Sequence, residues 1–419
     1  MKKFIGLLCC FLLIIPSLTY GEQVSRQPMK AAFFRDGYLW TKIDNKEEKR
    51  TKEQAKHPYP PKWSYDGKWI LYQKEVPSMN DPSQETQLEI WVYHIETNQH
   101  IKVFYDGWNP QWSPTENIVA FQSRDVLNIS NLKEFKNVAL GVSSYQWYPD
   151  GHGFIASSSA TLRPDGWTNP VLYNIPLEKD FQKVNLTQYK PLFIIPKELS
   201  NGNESIPSIN ATNFAFSPDG KWISFIVSPT ASLSMDNDMV CVLTSDGKNF
   251  SVLDETILHI GTPEWAPSKN SLAYIAGSGR IVFGFKNKNL KVTELPAFQS
   301  IRLTPDKYAD MWFTWLDNHS LIASRVPEKE WSNDPIQRPN PALYLIMMNK
   351  EKQTKITSPK KGKGDYQPLF NAYSGKLTWI RRSLTEIVGD LWIADPDGRN
   401  AEIWIKDIEE YSTYEGKEH

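Results

Sequence analysis

The sequence predicts an all-β chain folded as a β-propeller of four-stranded blades, and three observations support this fold. Short apolar strands separated by Gly, Pro, Asn and Asp fill the chain, and no long helical periodicity appears. One hairpin pattern recurs along most of the chain. Each recurrence is followed by a second hairpin, and a four-stranded sheet built in this way needs cover on both faces. Packing several such sheets around an axis supplies that cover.

The recurring hairpin consists of a strand, a tight turn and a second strand. An aromatic residue ends the first strand, and Ser-Pro-Asp-Gly or a related sequence forms the turn. Proline fixes φ, aspartate can accept a hydrogen bond from its own backbone, and glycine tolerates a positive φ. The seven copies occupy residues 61–72, 110–121, 145–151, 213–223, 263–274, 313–318 and 367–379.

Seven copies favour a propeller of seven blades. Residues 31–43 have the pattern of part of another blade, so eight blades with an incomplete N-terminal blade is the alternative. Ring closure in propellers usually combines strands from both ends of the chain. We assign residues 31–411 to a single propeller domain and residues 412–419 to a C-terminal tail.

The composition excludes several other classes of protein. The 419 residues are 40% hydrophobic and 13% aromatic, which is unlike a disordered chain. Only one long apolar run exists, so the chain is not a polytopic membrane protein. The net charge is −1, so no overall positive field would attract nucleic acid, and no nucleic-acid partner is expected.

The first 21 residues have the features of a secretory signal peptide. Lys2 and Lys3 precede an apolar run over residues 4–15, and Thr19 and Gly21 are small residues suited to a cleavage site before Glu22. We therefore expect an exported protein, secreted or associated with the cell envelope, with a linker at residues 22–30. An uncleaved membrane anchor is the alternative, although the apolar run is shorter than the roughly 20 residues of a spanning helix.

The three cysteines are interpreted as structural rather than reactive. Cys9 and Cys10 lie inside the apolar run and lack the preceding small residue of a lipidation site, so a lipid anchor at either is the less favoured alternative. Cys241 lies in an apolar strand and is expected to be a buried, inert thiol. Once the signal peptide is removed, no second cysteine is left for an intramolecular disulfide.

The Trp-Ser-Pro-Asp-Gly-Lys pattern, most nearly complete at residues 216–221, resembles the TolB-like, PD40 (WD40-like) class of β-propeller repeats. The resemblance extends over about residues 57–405. The chain is also similar to secreted propellers of spore-forming, single-membrane bacteria. It implies a bacterial envelope propeller used for protein or glycan contacts. The small α/β domain that precedes the propeller in TolB proper is not evident, so the resemblance does not carry TolB's role in outer-membrane assembly.

The long loops are expected on one face of the propeller. Because strands alternate in direction, turns inside hairpins lie on one face, and connections between hairpins and between blades lie on the other. The long segments assigned to this second face are residues 76–87, 157–170, 184–212, 228–238, 296–310, 326–341 and 383–389. Loops on a rigid scaffold commonly carry binding residues.

Aromatic and charged residues in these loops are the candidate ligand contacts. They are Arg163, Trp167, Glu330, Trp331, Arg338, Arg381 and Arg382. Exposed tryptophan beside arginine is typical of protein interfaces, and a flat indole face also stacks on sugars. The alternative is that each tryptophan folds back and caps its own blade.

No familiar catalytic or cofactor motif is present. The seven histidines do not pair at zinc-helix spacing, and neither a Gly-x-Ser-x-Gly elbow nor a glycine-rich phosphate loop occurs. We therefore assign no catalytic residue, metal or cofactor and expect a protein that is not an enzyme. Carboxylates contributed by distant blades would leave no spacing signal.

The sequence thus favours a secreted scaffold that binds an envelope protein or peptide and is peripheral to the membrane at most. The alternative is a carbohydrate-binding or carbohydrate-active propeller that acts on cell-wall glycan. A deep axial pocket with two carboxylates near an arginine or histidine would favour that alternative.

Overall fold

The computed structural model describes residues 28–79, 85–177, 184–185, 189–202, 205–230, 237–257, 260–277 and 284–416. Within these residues the regular structure is β-strand apart from two 3₁₀ turns, Pro335–Gln337 and Met348–Lys350. None of the described segments forms a helix that could span a membrane. The predicted signal peptide, with Cys9 and Cys10, lies outside the described residues.

The strands form consecutive four-stranded antiparallel blades, in which strands A to D run outward from the axis. Blade 1 contains β1 (Ala31–Arg35), β2 (Tyr38–Ile43) and β3 (Lys46–Lys49). Blade 2 contains β4 (Lys62–Trp63), β5 (Trp69–Pro77), β6 (Thr86–His94) and β7 (His100–Phe104). Blade 3 contains β8 (Trp108–Trp112), β9 (Val119–Ser123), β10 (Val126–Ser130) and β11 (Phe135–Leu140). Blade 4 contains β12 (Ser144–Trp147), β13 (Gly153–Ser158), β16 (Val171–Pro176) and β18 (Pro191–Ile194), with the hairpin β14 (Leu162–Arg163) and β15 (Gly166–Trp167) between β13 and β16. A short strand, β17 (Val184–Asn185), pairs in parallel with β11 at the outer edge of blade 3.

The remaining blades repeat this arrangement. A hairpin of β19 (Glu198–Ser200) and β20 (Ser205–Pro207) precedes blade 5, which contains β21 (Asn210–Phe216), β22 (Trp222–Ser228), β23 (Asp238–Thr244) and β24 (Phe250–Thr256). Blade 6 contains β25 (Glu264–Trp265), β26 (Ser271–Ala276), β27 (Asn289–Glu294) and β28 (Gln299–Arg302). Blade 7 contains β29 (Tyr308–Asp317), β30 (Ser320–Pro327), β31 (Ala342–Met347) and β32 (Lys352–Lys355). Blade 8 contains β33 (Gly364–Asn371), β34 (Lys376–Arg382), β35 (Gly389–Ala394) and β36 (Glu402–Ile408).

The last strand, β37 (Tyr411–Thr413), closes the ring by pairing with β1 as the inner strand of blade 1. Ala31 lies opposite Thr413, and Phe33 lies opposite Tyr411. The expected domain end at residue 411 was therefore two residues short, because Ser412 and Thr413 belong to the closing strand rather than to a tail.

The predicted all-β propeller of four-stranded blades is confirmed, and the described residues form a ring of eight blades, the alternative number, instead of the preferred seven. The recurring hairpin gave seven copies because it comprises strands A and B. In blade 1 these two strands come from opposite ends of the chain, so no contiguous copy of the hairpin exists there.

The apolar core lies between blades rather than inside one central cluster. Among the described residues, buried apolar side chains form eight clusters, each shared by two neighbouring blades. Along β1, Phe33 packs against Ile380 of blade 8, whereas Phe34 packs against Ile70 of blade 2. Successive side chains of a strand point to opposite faces, so a strand covered on both faces is apolar at successive positions.

The aromatic residue that ends several inner strands also sets the position of the neighbouring blade. Its indole N–H donates to a backbone carbonyl of the preceding blade's inner strand. These bonds run from Trp63 to Ser412, from Trp112 to Lys62, from Trp265 to Ala215 and from Trp315 to Glu264, with lengths of 3.1–3.3 Å.

The Ser-x-Asp-Gly turns form a second link between blades. Ser217 donates its hydroxyl to Asp219 Oδ1 (2.7 Å), and Asn270 of the next blade donates to Asp219 Oδ2 (2.9 Å). Burial opposes ionisation of Asp219, but these bonds and the Lys221 N–H lower its pKa to about 2. Asn117 makes the same bond to Asp66 at 3.0 Å.

Two of the predicted long loops contain the outer strand of a blade. Residues 184–212 include β18, the outer strand of blade 4, and the hairpin β19–β20. Residues 184–185, which form β17, lie between strands C and D of blade 4 along the chain, so they belong to neither kind of connection assigned to the long-loop face. Residues 296–310 include β28, the outer strand of blade 6. Outer strands pair on one edge only and are exposed, so their sequences resemble loops.

We expect a chain truncated after Glu410 to melt at least ~5 °C below one truncated after Gly416. The shorter chain lacks β37 and with it the inner edge of blade 1 and the acceptor for Trp63. Melting followed by circular dichroism measures the difference. Equal melting temperatures would show that β37 is not needed to hold the ring closed.

Candidate functional site

Two faces of the propeller are distinguished by their loops. The turns joining strands A to B and C to D form the turn face. The connections from B to C, and from D to the next blade's A, form the long-loop face. All seven predicted contact residues belong to connections or strand ends on the long-loop face, in blades 4, 7 and 8. Blades 7 and 8 are neighbours, whereas blade 4 lies across the ring, so the structure brings these residues together only in part.

Trp331 is engaged within the protein. Its ring stacks on Phe285 with a centroid separation of 6.1 Å, and the Arg338 guanidinium lies 3.9 Å from the indole centroid. Arg338 Nε also donates to the Ser332 carbonyl at 2.7 Å. Trp331 thus packs against both Phe285 and Arg338, and it covers the edge of the apolar cluster between blades 6 and 7. Glu330 is exposed and pairs with Lys286.

Arg381 is also used by the fold. Its guanidinium makes two bonds to the buried Asp365 carboxylate, at 2.6 and 3.0 Å, and lies 4.0 Å from the Trp392 ring centroid. Arg382 lies over the Tyr366 ring and donates to the Glu386 carbonyl. These contacts order the end of β34 and the loop that follows it.

A matching ion pair in blade 7 was not predicted. Arg325 and Asp310 occupy the same strand positions as Arg381 and Asp365, are almost completely buried, and form two bonds of 2.6 and 2.8 Å. Thr304 also donates to Asp310, at 2.5 Å. A bidentate pair with further hydrogen bonds offsets the loss of hydration on burial. These pairs anchor the first part of the inner strands.

Arg163 and Trp167 lie on the β14–β15 hairpin, which projects from blade 4. Arg163 is exposed and Trp167 is half-buried. The neighbouring Leu162 is 63% exposed, so this hairpin presents apolar as well as charged surface. Of the predicted residues, Arg163, Trp167 and Glu330 remain in positions from which they could meet a partner.

The inner strands of blades 3, 5 and 8 share a bulge that the sequence analysis missed. Pairing with strand B shifts register between Trp108 and Gln111, between Thr212 and Ala215, and between Tyr366 and Leu369. Each bulge begins with a polar residue, three positions before the aromatic that ends the strand. These residues are Asn109 (φ 47°), Asn213 (φ 55°) and Gln367 (φ 51°).

From the exposure of the three bulge residues we infer that their amide side chains face the axis. Neighbouring blades cover the faces of an inner strand and strand B covers one edge, so an exposed side chain on it faces the axial channel. Asn109, Asn213 and Gln367 are all exposed. A left-handed backbone is unfavourable for residues other than glycine, and such bulges often aim side chains at binding sites. The common sequence signal is Asn or Gln three residues before the aromatic.

A pocket of about 360 Å³ opens beside the first of these bulges, between blades 2 and 3. Tyr59 (42% exposed) and Trp108 (49% exposed) form part of its wall. Lys62 also lines it and donates to the Pro110 carbonyl at 2.9 Å. Burial lowers the pKa of Lys62 to about 8.

A larger cavity, of about 690 Å³, lies between blades 1 and 2 away from the axis. It is lined in part by Trp91, whose indole N–H donates to Glu89 at 2.8 Å. Lys102 pairs with the same carboxylate at 2.5 Å. The lining residues Arg50, Lys74 and Glu75 pair with Glu48, Glu89 and Lys56, respectively. Because these three charged groups of the cavity wall already have partners inside the protein, we place the candidate site at the axis.

A glutamate occupies the strand position of Lys62 in the blade on the opposite side of the ring. In two blades, the residue just before the aromatic that ends the inner strand donates to the inner strand of the next blade. These residues are Lys62, which donates to Pro110, and Gln111, which donates to Tyr145. Glu264 holds this position in blade 6, four blades from Lys62. Burial, with a contribution from Glu415, raises the pKa of Glu264 to about 8, and burial also raises that of Glu415. Among the described residues, no group of His, Cys, Asp and Glu is arranged to hold a metal ion.

Comparison with known proteins shows the fold. No protein-family profile matches the chain, and no curated protein matches it. The dihydro-heme d1 dehydrogenase NirN matches over 93% of this chain and 75% of its own, with 12% identity and a TM-score of 0.57. Puromycin hydrolase matches over 84% of this chain, with 11% identity and a TM-score of 0.53, and the match spans 54% of the hydrolase, about half its length. TolB from Acinetobacter baumannii matches over 66% of this chain and 63% of its own, with 17% identity and a TM-score of 0.38.

The expectation that the chain is not an enzyme is corrected by these matches. Proteins of like fold include a hydrolase and a dehydrogenase, so the architecture is one that enzymes use. The expectation relied on the lack of contiguous motifs. A propeller brings together residues from distant blades, as it does for Glu264 of blade 6 and Glu415 at the end of the chain, so motif spacing is a poor test for catalysis in this fold.

We expect Glu264→Gln to stabilise the protein at pH 8.5 but to have little effect at pH 5. The folded-state pKa of Glu264 is raised from its ordinary value of 4.5 to about 8. The folded chain therefore holds a proton that the unfolded chain loses, and this residue's contribution to stability falls as pH rises from 4.5 to 8. Removing the charge should add on the order of 1–3 kcal/mol at pH 8.5.

Thermal melting at both pH values measures this effect. Glu294→Gln removes an exposed carboxylate from the same blade and serves as the matched control. If the two variants show the same pH dependence, Glu264 does not occupy the environment described here.

Proposed function

We propose that this propeller binds a segment of a partner protein, or a peptide, at the axial mouth of its long-loop face. The main support for this proposal is the set of three bulges in inner strands, at Asn109, Asn213 and Gln367, whose side chains are exposed. An amide side chain offers donors and an acceptor together, which matches the alternating N–H and C=O groups of an extended peptide. Tyr59 and Trp108 add aromatic contact area beside them.

The predicted loop residues take two roles in this proposal. Arg163, Trp167 and Glu330 extend the contact from the mouth to the rim. Trp331, Arg338, Arg381 and Arg382 act as positioning residues, because their rings and guanidinium groups are engaged within the protein. We further propose that the chain belongs to the TolB-like, PD40 class, is exported through its N-terminal segment, and meets its partner at the cell envelope.

The test is capture of solubilised envelope proteins by immobilised chain lacking residues 1–21. We expect a discrete protein to be retained, and we expect Asn109→Ala/Asn213→Ala/Gln367→Ala to reduce its retention about tenfold or more, because buried partner groups lose their hydrogen bonds. Asn249→Ala/Gln299→Ala removes exposed amides away from the axis and is the matched control. Equal retention by the triple variant and the control would reject the axial mouth as the site.

A second candidate function, cleavage of cell-wall glycan, is favoured by one observation. Glu264 and Glu415 interact electrostatically near the axis, and the pKa of Glu264 is raised to about 8. A protonated carboxyl beside a second carboxylate is the usual acid–base arrangement for glycoside hydrolysis.

This candidate predicts that the chain releases reducing ends from purified cell wall. Glu264→Gln should lower that rate at least ~100-fold, since a general acid contributes about 10²–10⁴, whereas Glu294→Gln should leave it unchanged. Absence of release by the unaltered chain would reject the glycan function.

A further inference from the structure

We infer that the pocket lined by Lys62 takes the C-terminal carboxylate of a bound peptide, with Lys62 as the cation that pairs with it. This inference rests on the proposed function and specifies which end of the segment the axial mouth receives. It stands on the position of the lysine, the composition of the pocket walls and the size of the pocket.

Among the described residues, the Lys62 ammonium has no acidic partner. Within that part of the chain its one hydrogen bond is to the Pro110 carbonyl, at 2.9 Å, and an ammonium group carries three donors. In the part of the chain that the structure describes, no carboxylate lies within salt-bridge distance of Lys62 Nζ. Lys62 is half-buried, and keeping an unpaired charge partly away from water is costly, so a carboxylate in the pocket would relieve that cost.

The walls of the pocket suit the terminal residue of a peptide. Tyr59, Trp108 and Leu71 provide apolar surface for its side chain. Asn109 lines the same pocket with its backbone in the left-handed region. Its Oδ1 accepts from Gln111 Nε2 at 3.3 Å, and its NH₂ group can donate to the preceding peptide carbonyl. The pocket thus places a cation, an amide and aromatic surface around one ligand.

The volume of the pocket favours the end of a bound peptide over an internal peptide segment. About 360 Å³ lies near the lower limit of small-ligand pockets, roughly 300–1,000 Å³. If the carboxylate belonged to an internal Asp or Glu of the bound peptide, the pocket would have to hold backbone on both sides of that residue. A terminal residue brings peptide on one side only.

The experiment compares acetyl-Ala-Phe carrying a free carboxylate with its C-terminal amide. Calorimetric titration at pH 7 should give binding of the acid about tenfold or more tighter than that of the amide, because a charge-assisted hydrogen bond is lost. Lys62→Met should abolish the preference, whereas Lys62→Arg should keep part of it. Lys68→Met removes an exposed lysine of the same blade and should change nothing.

A second readout does not depend on variants. Pairing with a carboxylate raises the pKa of Lys62 from about 8, so binding near pH 8.5 should be accompanied by proton uptake. Titrations in two buffers of different ionisation enthalpy measure that uptake. This measurement decides the matter if Lys62→Met fails to fold.

Three outcomes would overturn the inference. They are equal affinity for the acid and the amide, an undiminished preference in folded Lys62→Met, or equal binding of acetyl-Asp-Phe-amide, which carries its carboxylate on a side chain. Envelope-protein capture separates this failure from that of the proposed function. Capture that depends on Asn109, Asn213 and Gln367 but not on Lys62 rejects the carboxylate pocket alone, whereas no amide-dependent capture rejects the proposed function.

Discussion

The structure depends on the need of every blade for two neighbours. Strands such as β1 carry apolar side chains on both faces, and Phe33 and Phe34 contribute to different interblade clusters. A row of such sheets would leave apolar surface exposed at each end, and only a closed ring leaves none. The pairing of β37 with β1 therefore supports each of the other interfaces, because it removes both ends of the row at once.

Each of several inner strands both bonds to a neighbouring blade and presents a polar side chain, at positions only three residues apart. Their last residues make the bonds between blades, through the indole groups and through turns such as Asp219 with Asn270. Three residues earlier, the bulges interrupt regular pairing and present amides to the axis. A rigid end next to an irregular segment holds the exposed side chains in a defined place, which reduces the entropy lost on binding.

The charged groups of the inner strands fall into two kinds, those paired within the fold and those without an ion-pair partner among the described residues. Asp310 and Asp365 are fully buried but paired with Arg325 and Arg381, so they act within the fold. Among the described residues, Lys62 and Glu264 have no such ion-pair partner, and burial shifts the pKa of each in the direction that favours its neutral form. Groups of this kind are sensitive to an incoming opposite charge. The axis, more than the loop rim, therefore holds the groups that a ligand would affect.

The sequence by itself determined the all-β propeller and the four-stranded blade, because turn residues and alternating apolar positions act locally and recur in each repeat. Only the tertiary structure decided the number of blades, since blade 1 joins strands from the two ends of the chain. It likewise decided that Trp331 and Arg381 are engaged within the fold, because their partners Phe285 and Asp365 depend on packing and register rather than on local sequence. The approach of residues that are distant in sequence, as with Glu264 and Glu415, follows from ring geometry, and no spacing along the chain encodes it.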